Sequence, residues 1–132
     1  MFIDTSAIIA IIKDEHEAEY FSSLLASANN VYTSPIVLLE ATMRLSSIFR
    51  IEPDIVTTLL DEFVSRTRIE IVSVDREMGR LAAKAFAHHG KGRHPAGLNF
   101  GDCLSYAAAK ALKAPLLFKG NDFALTDIER VR

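Results

Sequence analysis

The chain has 132 residues, of which 49% are hydrophobic, enough for one domain (1–132) with a core of its own. Its single cysteine excludes an internal disulfide and suits a reducing cytoplasm, and its net charge of −2 does not advertise a nucleic-acid binder, although clustered acids can mask a local basic face. No apolar run reaches the roughly 18 residues of a membrane span, and Asp4, with no basic region before it, breaks an apolar start that could otherwise pass for a signal peptide.

Residues 1–4 read as a short buried strand that ends in a carboxylate. Residues 5–13 are apolar on every face and predict a central buried helix, with Thr5 or Ser6 as its cap. Lys13-Asp14-Glu15-His16 breaks that pattern, and Phe21, Leu24, Leu25 and Ala28 place a second helix over about 15–28. Val31-Tyr32-Thr33 is β-type. Ser34 as N-cap and Pro35 at the first helical position then open a helix to about Phe49, expected to bury Val37, Leu38, Ala41, Leu45 and Ile48. Glu52-Pro53-Asp54 starts another, carrying Ile55, Val56, Leu59, Leu60 and Phe63. Ile69 to Val74 is a β-branched strand, and Asp75 caps a helix with Met78, Leu81, Ala82 and Ala85 on its buried face. From His88 to Asn99 glycine, proline and basic residues predict a surface loop. Asn99 looks like an N-cap with Asp102 in capping-box position, and a small-residue helix runs from Cys103 to about Lys113. Leu116-Leu117-Phe118 is a short buried strand, Lys119-Gly120-Asn121-Asp122 a loop at its carboxyl end, and residues 128–131 a candidate edge strand. Strands alternating with helices predict an α/β fold of three layers, a central mainly parallel sheet with helices on both faces.

In such a sheet the loops after the strands gather on one edge. Four acids fall there: Asp4 after the first strand, Glu40 one turn into the helix after the second, Asp102 in the first turn of a later helix, and Asp122 after Leu116-Phe118. Each also has a purely structural reading, as helix cap for Asp4 and Asp102, solvated helix face for Glu40 and turn residue for Asp122. The set is stronger than its members. Acids among apolar or small neighbours are costly unless a metal or hydrogen bonds compensate them, and hard carboxylate oxygens without a His or Cys cluster point to Mg²⁺ or Mn²⁺ rather than zinc.

The ordered set Phe2-Ile3-Asp4-Thr5-Ser6-Ala7, Ser34-Pro35-Ile36-Val37-Leu38-Leu39-Glu40, Asn99-Phe100-Gly101-Asp102-Cys103 and Leu116 to Phe123 resembles the PIN-domain nucleases, and among them the VapC-type ribonuclease toxins of VapBC toxin–antitoxin pairs. The resemblance covers nearly the whole chain. It implies a PIN-like fold and a Mg²⁺-dependent endoribonuclease (Mn²⁺ substituting) that hydrolyses RNA phosphodiester bonds, with Asp4, Glu40 and Asp102 as metal ligands. It carries a fourth acidic role onto Asp122, beside Asn121 where relatives often have another acid, and gives Ser6 the task of orienting Asp4. It also implies an RNA substrate, a VapB-type antitoxin, a homodimer and a cytoplasmic site of action.

Lys91, Arg93 and Lys119 are candidate RNA phosphate contacts, with an ordinary solvated loop as the alternative. His88 and His89 are neighbours on a helix and diverge, which makes a metal pair implausible, and Cys103 reads as a small core residue. Haloacid-dehalogenase phosphatases require an acid two residues after the first, where this chain has Ser6, and receiver domains do not accommodate Glu40 on a helix. A housekeeping RNA-processing nuclease and a PIN-fold binding module without catalysis remain the alternatives.

Overall fold

The computed structural model describes residues 1–132. Four two-residue strands, β1 (Phe2–Ile3), β2 (Tyr32–Thr33), β3 (Glu70–Ile71) and β4 (Leu116–Leu117), form one parallel sheet in the order β3-β2-β1-β4. Between them run α1 (Thr5–Ile12), α2 (Ala18–Ser27), α3 (Pro35–Phe49), α4 (Pro53–Thr67), α5 (Arg76–His89) and α6 (Phe100–Ala111), and a 3₁₀ turn (Asp122–Leu125) follows β4. The chain steps from β1 to β2 to β3 in one direction, then crosses back to lay β4 on the other side of β1. Right-handed crossovers put α1–α4 on one face and α5–α6 on the other, which is the three-layer α/β arrangement expected. The reversal of strand order falls between β1 and β4, the crevice where open sheets hold ligands.

The centre of the core is the apolar start of the chain. Phe2 and Ile3 on β1, Ala7, Ile8 and Ala10 on α1, and Leu116 on β4 have no exposed surface. Because α1 packs against both α2 and α3 within the core, it needs no polar face, and that explains the apolar run from Ala7 to Ile12. Its N-cap is Asp4, whose side chain accepts from the Ser6 backbone, so neither Thr5 nor Ser6 caps it. Thr5 is instead buried beside α3.

Several boundaries differ from expectation, each for a local reason. α2 begins at Ala18, because Asp14 takes a left-handed turn and Glu15 is drawn into ion pairs. The buried stripe of α3 is Val37, Ala41 and Leu45 and that of α4 is Val56 and Leu60; a single i, i+4 row faces inward, leaving Ile48, Ile55 and Leu59 exposed. The predicted strand from Ile69 pairs only at Glu70 and Ile71, both exposed at the sheet edge. On α5, Met78 and Ala85 are buried while Leu81 and Ala82 are half-buried.

The segment from His88 is more structured than its composition suggests. His88 and His89 complete α5, Gly90 and Leu98 form a parallel bridge, and Ala96 and Leu98 are buried. Aromatic packing holds this segment to α6: the His89 ring lies 5.0 Å from that of His94 and 5.7 Å from that of Tyr106. Tyr106 and Lys110 donate to Asp127 at 2.5 and 2.8 Å, tying the C-terminal segment to the same helix. At that end the expected edge strand reduces to one parallel bridge, Leu116 to Arg130.

Candidate active site

Asp4, Glu40, Asp102 and Asp122 line one pocket of about 320 Å³ with Ser6, Arg44, Asn99, Lys119 and Phe123. Four separate elements deliver the acids. Asp4 leaves β1 at the switch point, its backbone N–H bonded to the Leu117 carbonyl at 3.0 Å. Asp4 is only 5% exposed, and a carboxylate that buried requires partners. It has three: Oδ2 accepts from the Ser6 backbone at 3.0 Å and the Ser6 hydroxyl at 2.7 Å, and Oδ1 accepts from the Ser105 hydroxyl on α6 at 2.7 Å. Ser6 Oγ in turn accepts from the Lys119 backbone N–H at 3.0 Å, linking α1 to the end of β4. Asp4 is thus both a helix cap and a member of the acid cluster.

Asp102 is the third residue of α6, in a reciprocal capping box. The Asn99 side chain accepts from the Asp102 N–H at 2.9 Å, and Asp102 Oδ2 accepts from the Asn99 N–H at 3.0 Å. Its other oxygen has no protein partner. Burial pushes its carboxyl up to about 6 despite the Asn99 bond, and the nearby charges of Asp4, Asp122 and Glu40 push in the same direction. The same surroundings raise the Cys103 thiol, which is buried in the core as expected.

Glu40, half-buried on α3, is held against the first turn of α6 by an absence. A Cβ at Gly101 would overlap the Glu40 carboxylate and stand 3.2 Å from its Cδ. Gly101 therefore sets how closely the two helices bring Glu40 to Asp102. Asp122 starts the 3₁₀ turn, exposed at the rim, positioned because the next residue, Phe123, is buried with its ring 5.0 Å from that of Phe118.

The basic residues fall differently. Lys119 lines the pocket, but its ammonium pairs with Glu15 and, at 3.2 Å, with Glu17. Those contacts raise the Lys119 pKa, while Lys119 and Lys13 hold Glu15 down to about 2. Lys91 and Arg93 are outside the acid pocket. Lys91 lines a separate apolar groove with Phe86 and Phe100, and the Arg93 guanidinium lies 5.6 Å from the centre of the Phe86 ring. Of the pocket-lining cations only Arg44 has no hydrogen-bond or ion-pair partner.

No three of the acids already converge closely enough to hold an ion on their own. The donor set nonetheless fits a divalent cation of the Mg²⁺ type. All donors are hard carboxylate oxygens, like-charge crowding at Asp102 is the stress such an ion relieves, and Mg²⁺ keeps several waters and needs few protein ligands. Arg44, which lines the pocket, and Ser105 and Gly101, which touch Asp4 and Glu40 from outside its lining, have no role in the sequence reading. A hydroxyl one turn after Asp102 on the same face was the available signal for Ser105, and Arg44, one turn after Glu40, had the same signal.

The sequence matches the PIN domain family over residues 1–129. The chain belongs to that family. Within it, this PIN-domain protein is 44% identical over 131 residues to the VapC ribonuclease Mb0625 of Mycobacterium bovis, covering 98% of this chain and 96% of that one. It is 43% identical to the Ribonuclease VapC of Mycolicibacterium smegmatis, covering 99% of both. Both places it in the VapC group. Among solved structures the PIN fold recurs in Mycobacterium tuberculosis VapC20, described as a sarcin–ricin loop cleaving toxin, with a TM-score of 0.76, 20% identity and coverage of 99% and 98%. It recurs also in DNA-bound VapBC from Salmonella typhimurium, with a TM-score of 0.72, 16% identity and coverage of 99% and 95%.

Proposed function

We propose that this protein is a metal-dependent endoribonuclease and the toxin of a toxin–antitoxin pair. The observation that carries the reading is the gathering of Asp4, Glu40, Asp102 and Asp122 in one pocket of a VapC-group chain. Asp4, Glu40 and Asp102 would hold Mg²⁺, drawn together by the ion, and Mn²⁺ would substitute for it; the ion would supply Lewis-acid stabilisation of the negative charge that grows on the phosphate oxygens. Asp122, exposed at the rim, orients the attacking water and accepts its proton. Water adds to phosphorus in line, and the bond to the leaving ribose oxygen breaks opposite. Ser6 and Ser105 fix the Asp4 carboxylate: the Ser6 N–H and hydroxyl occupy both lone pairs of Oδ2, and the Ser105 hydroxyl occupies one on Oδ1, whose other lone pair is left for the metal.

Ser105→Ala leaves the buried Asp4 Oδ1 without its donor, at an expected cost to stability of about 1–3 kcal/mol. The expected result is a 10- to 100-fold loss of Mg²⁺ affinity or activity, on the order seen when groups that support metal ligands are removed, read by Mg²⁺ titration of cleavage. The enzyme reading itself is tested by incubating purified protein with cellular RNA in Mg²⁺ and in EDTA. Cleavage in Mg²⁺ alone supports it, and equal cleavage in EDTA would remove the metal.

A VapB-type antitoxin and a second copy of the chain are the proposed protein partners. Leu39 and Met43 flank Glu40, and Phe100 precedes Gly101 and Asp102; all three are exposed, 57%, 63% and 77%, apolar surface bordering the acids. A dimer in sedimentation equilibrium, and loss of cleavage on adding the product of the neighbouring small reading frame, are the expected results. No helix is long and apolar enough to cross a membrane, and the proposed site of action is the cytoplasm, where RNA is available.

A further inference from the structure

We propose that Arg44 binds a phosphate of the RNA backbone beside the one that is cut, acting as a substrate-binding residue of the acid pocket; the inference rests on the ribonuclease reading above. Arg44 stands one turn after Glu40 on α3 and lines the same pocket as all four acids. A Glu followed four residues later by a basic residue is the favourable orientation for a helix-surface ion pair. Here that pair is not made. Glu40 turns toward Gly101 on α6, and Arg44 has no hydrogen-bond or ion-pair partner. The other pocket-lining cation, Lys119, is committed to Glu15 and Glu17.

A pocket of four carboxylates repels a polyanion, and a metal at its centre offsets that only at the phosphate it touches. The flanking phosphates need a cation of their own. A guanidinium presents paired N–H donors matched to two phosphate oxygens, and being exposed and unpaired it has no existing bond to give up. Lys91 and Arg93, the more obvious basic residues of the sequence, are outside this pocket.

The test uses the full chain with Arg44→Ala, Arg44→Lys and Arg44→Glu. A short fluorescent single-stranded oligoribonucleotide is bound in EDTA at several salt concentrations, and cleavage is followed in Mg²⁺. For Arg44→Ala the expected results are a KM raised about tenfold, as for a lost charge-assisted hydrogen bond, with kcat within about twofold. The slope of log affinity against log salt should fall by about 0.7, the value for one phosphate contact on a single strand. Arg44→Lys should keep the slope and show a smaller rise in KM than Arg44→Ala, and Arg44→Glu should exceed Arg44→Ala in both. Equal thermal melts would show that the fold is intact, as the exposure of the side chain leads one to expect. Unchanged KM and salt slope in a cleaving protein would overturn the inference alone, as would an effect confined to antitoxin affinity. Wild-type protein that neither binds nor cuts RNA would overturn the ribonuclease reading and this inference with it.

Discussion

Asp102→Asn is expected to lower RNA cleavage at least about a hundredfold, the scale of losing one electrostatic element of a catalytic site, and yet to raise the melting temperature of the metal-free protein by a few degrees. The two effects have one cause. The Asp102 carboxyl is pushed up to about 6 by burial and by Asp4, Asp122 and Glu40, so its charged form is disfavoured in the folded protein. With its pKa raised on folding, the folded state binds more protons than the unfolded state between about pH 4 and 6, and stability falls as pH rises through that window. Glu15 and Asp127, held down to about 2 by their lysine partners, act in the opposite sense and lose their contribution only as pH falls toward 2. The metal-free wild type should therefore melt lower at pH 7 than at pH 5. Asparagine removes the charge while its carbonyl still accepts from the Asn99 N–H, preserving the capping box. Mg²⁺ should raise the wild-type melting temperature and leave that of Asp102→Asn nearly unchanged. Melting curves in EDTA and in Mg²⁺ check all three statements. A variant that cleaves at the wild-type rate would remove Asp102 from the metal site.

What was legible in the sequence was what is local. Asp4 with Ser6, and Asn99 with Asp102, are two or three residues apart, so a strand end and a capping box are readable from the chain itself. The alternating elements fix the α/β class, and with it the edge on which the acids meet. Contacts made across the fold left no such trace. Ser105 reaches Asp4 over a separation of 101 residues, and Lys119 reaches Glu15 over 104. A lysine beside Asp122 reads as a substrate contact until the turn between α1 and α2 is seen to claim it. Likewise a loop of glycines, histidines and basic residues reads as free surface, although Leu98 within it is fully buried.

Gly101→Ala is expected to leave the fold as stable as before, or slightly more so, while lowering cleavage about a hundredfold, the cost of displacing a catalytic group by about 1 Å. Gly101 lies in the first turn of α6, and alanine is the better helix former by roughly 1 kcal/mol. Beyond its own turn of helix, the three atoms nearest its side chain are all in the Glu40 carboxyl group, the mobile end of a flexible side chain. The overlap is therefore relieved by turning Glu40 away, with α3 and α6 staying in place. If Glu40 acts where Gly101 lets it lie, Gly101→Ala and Glu40→Ala disable the same element. The double variant should then be no worse than Glu40→Ala alone, the non-additivity expected of residues acting as a unit. Circular dichroism, melting temperature and a cleavage assay on the three proteins separate the possibilities. Additive losses would mean that Gly101→Ala acts on something other than Glu40. Wild-type cleavage by Gly101→Ala would mean that the close approach of α3 to α6 is only packing, leaving Asp4, Asp102 and Asp122 to carry the chemistry.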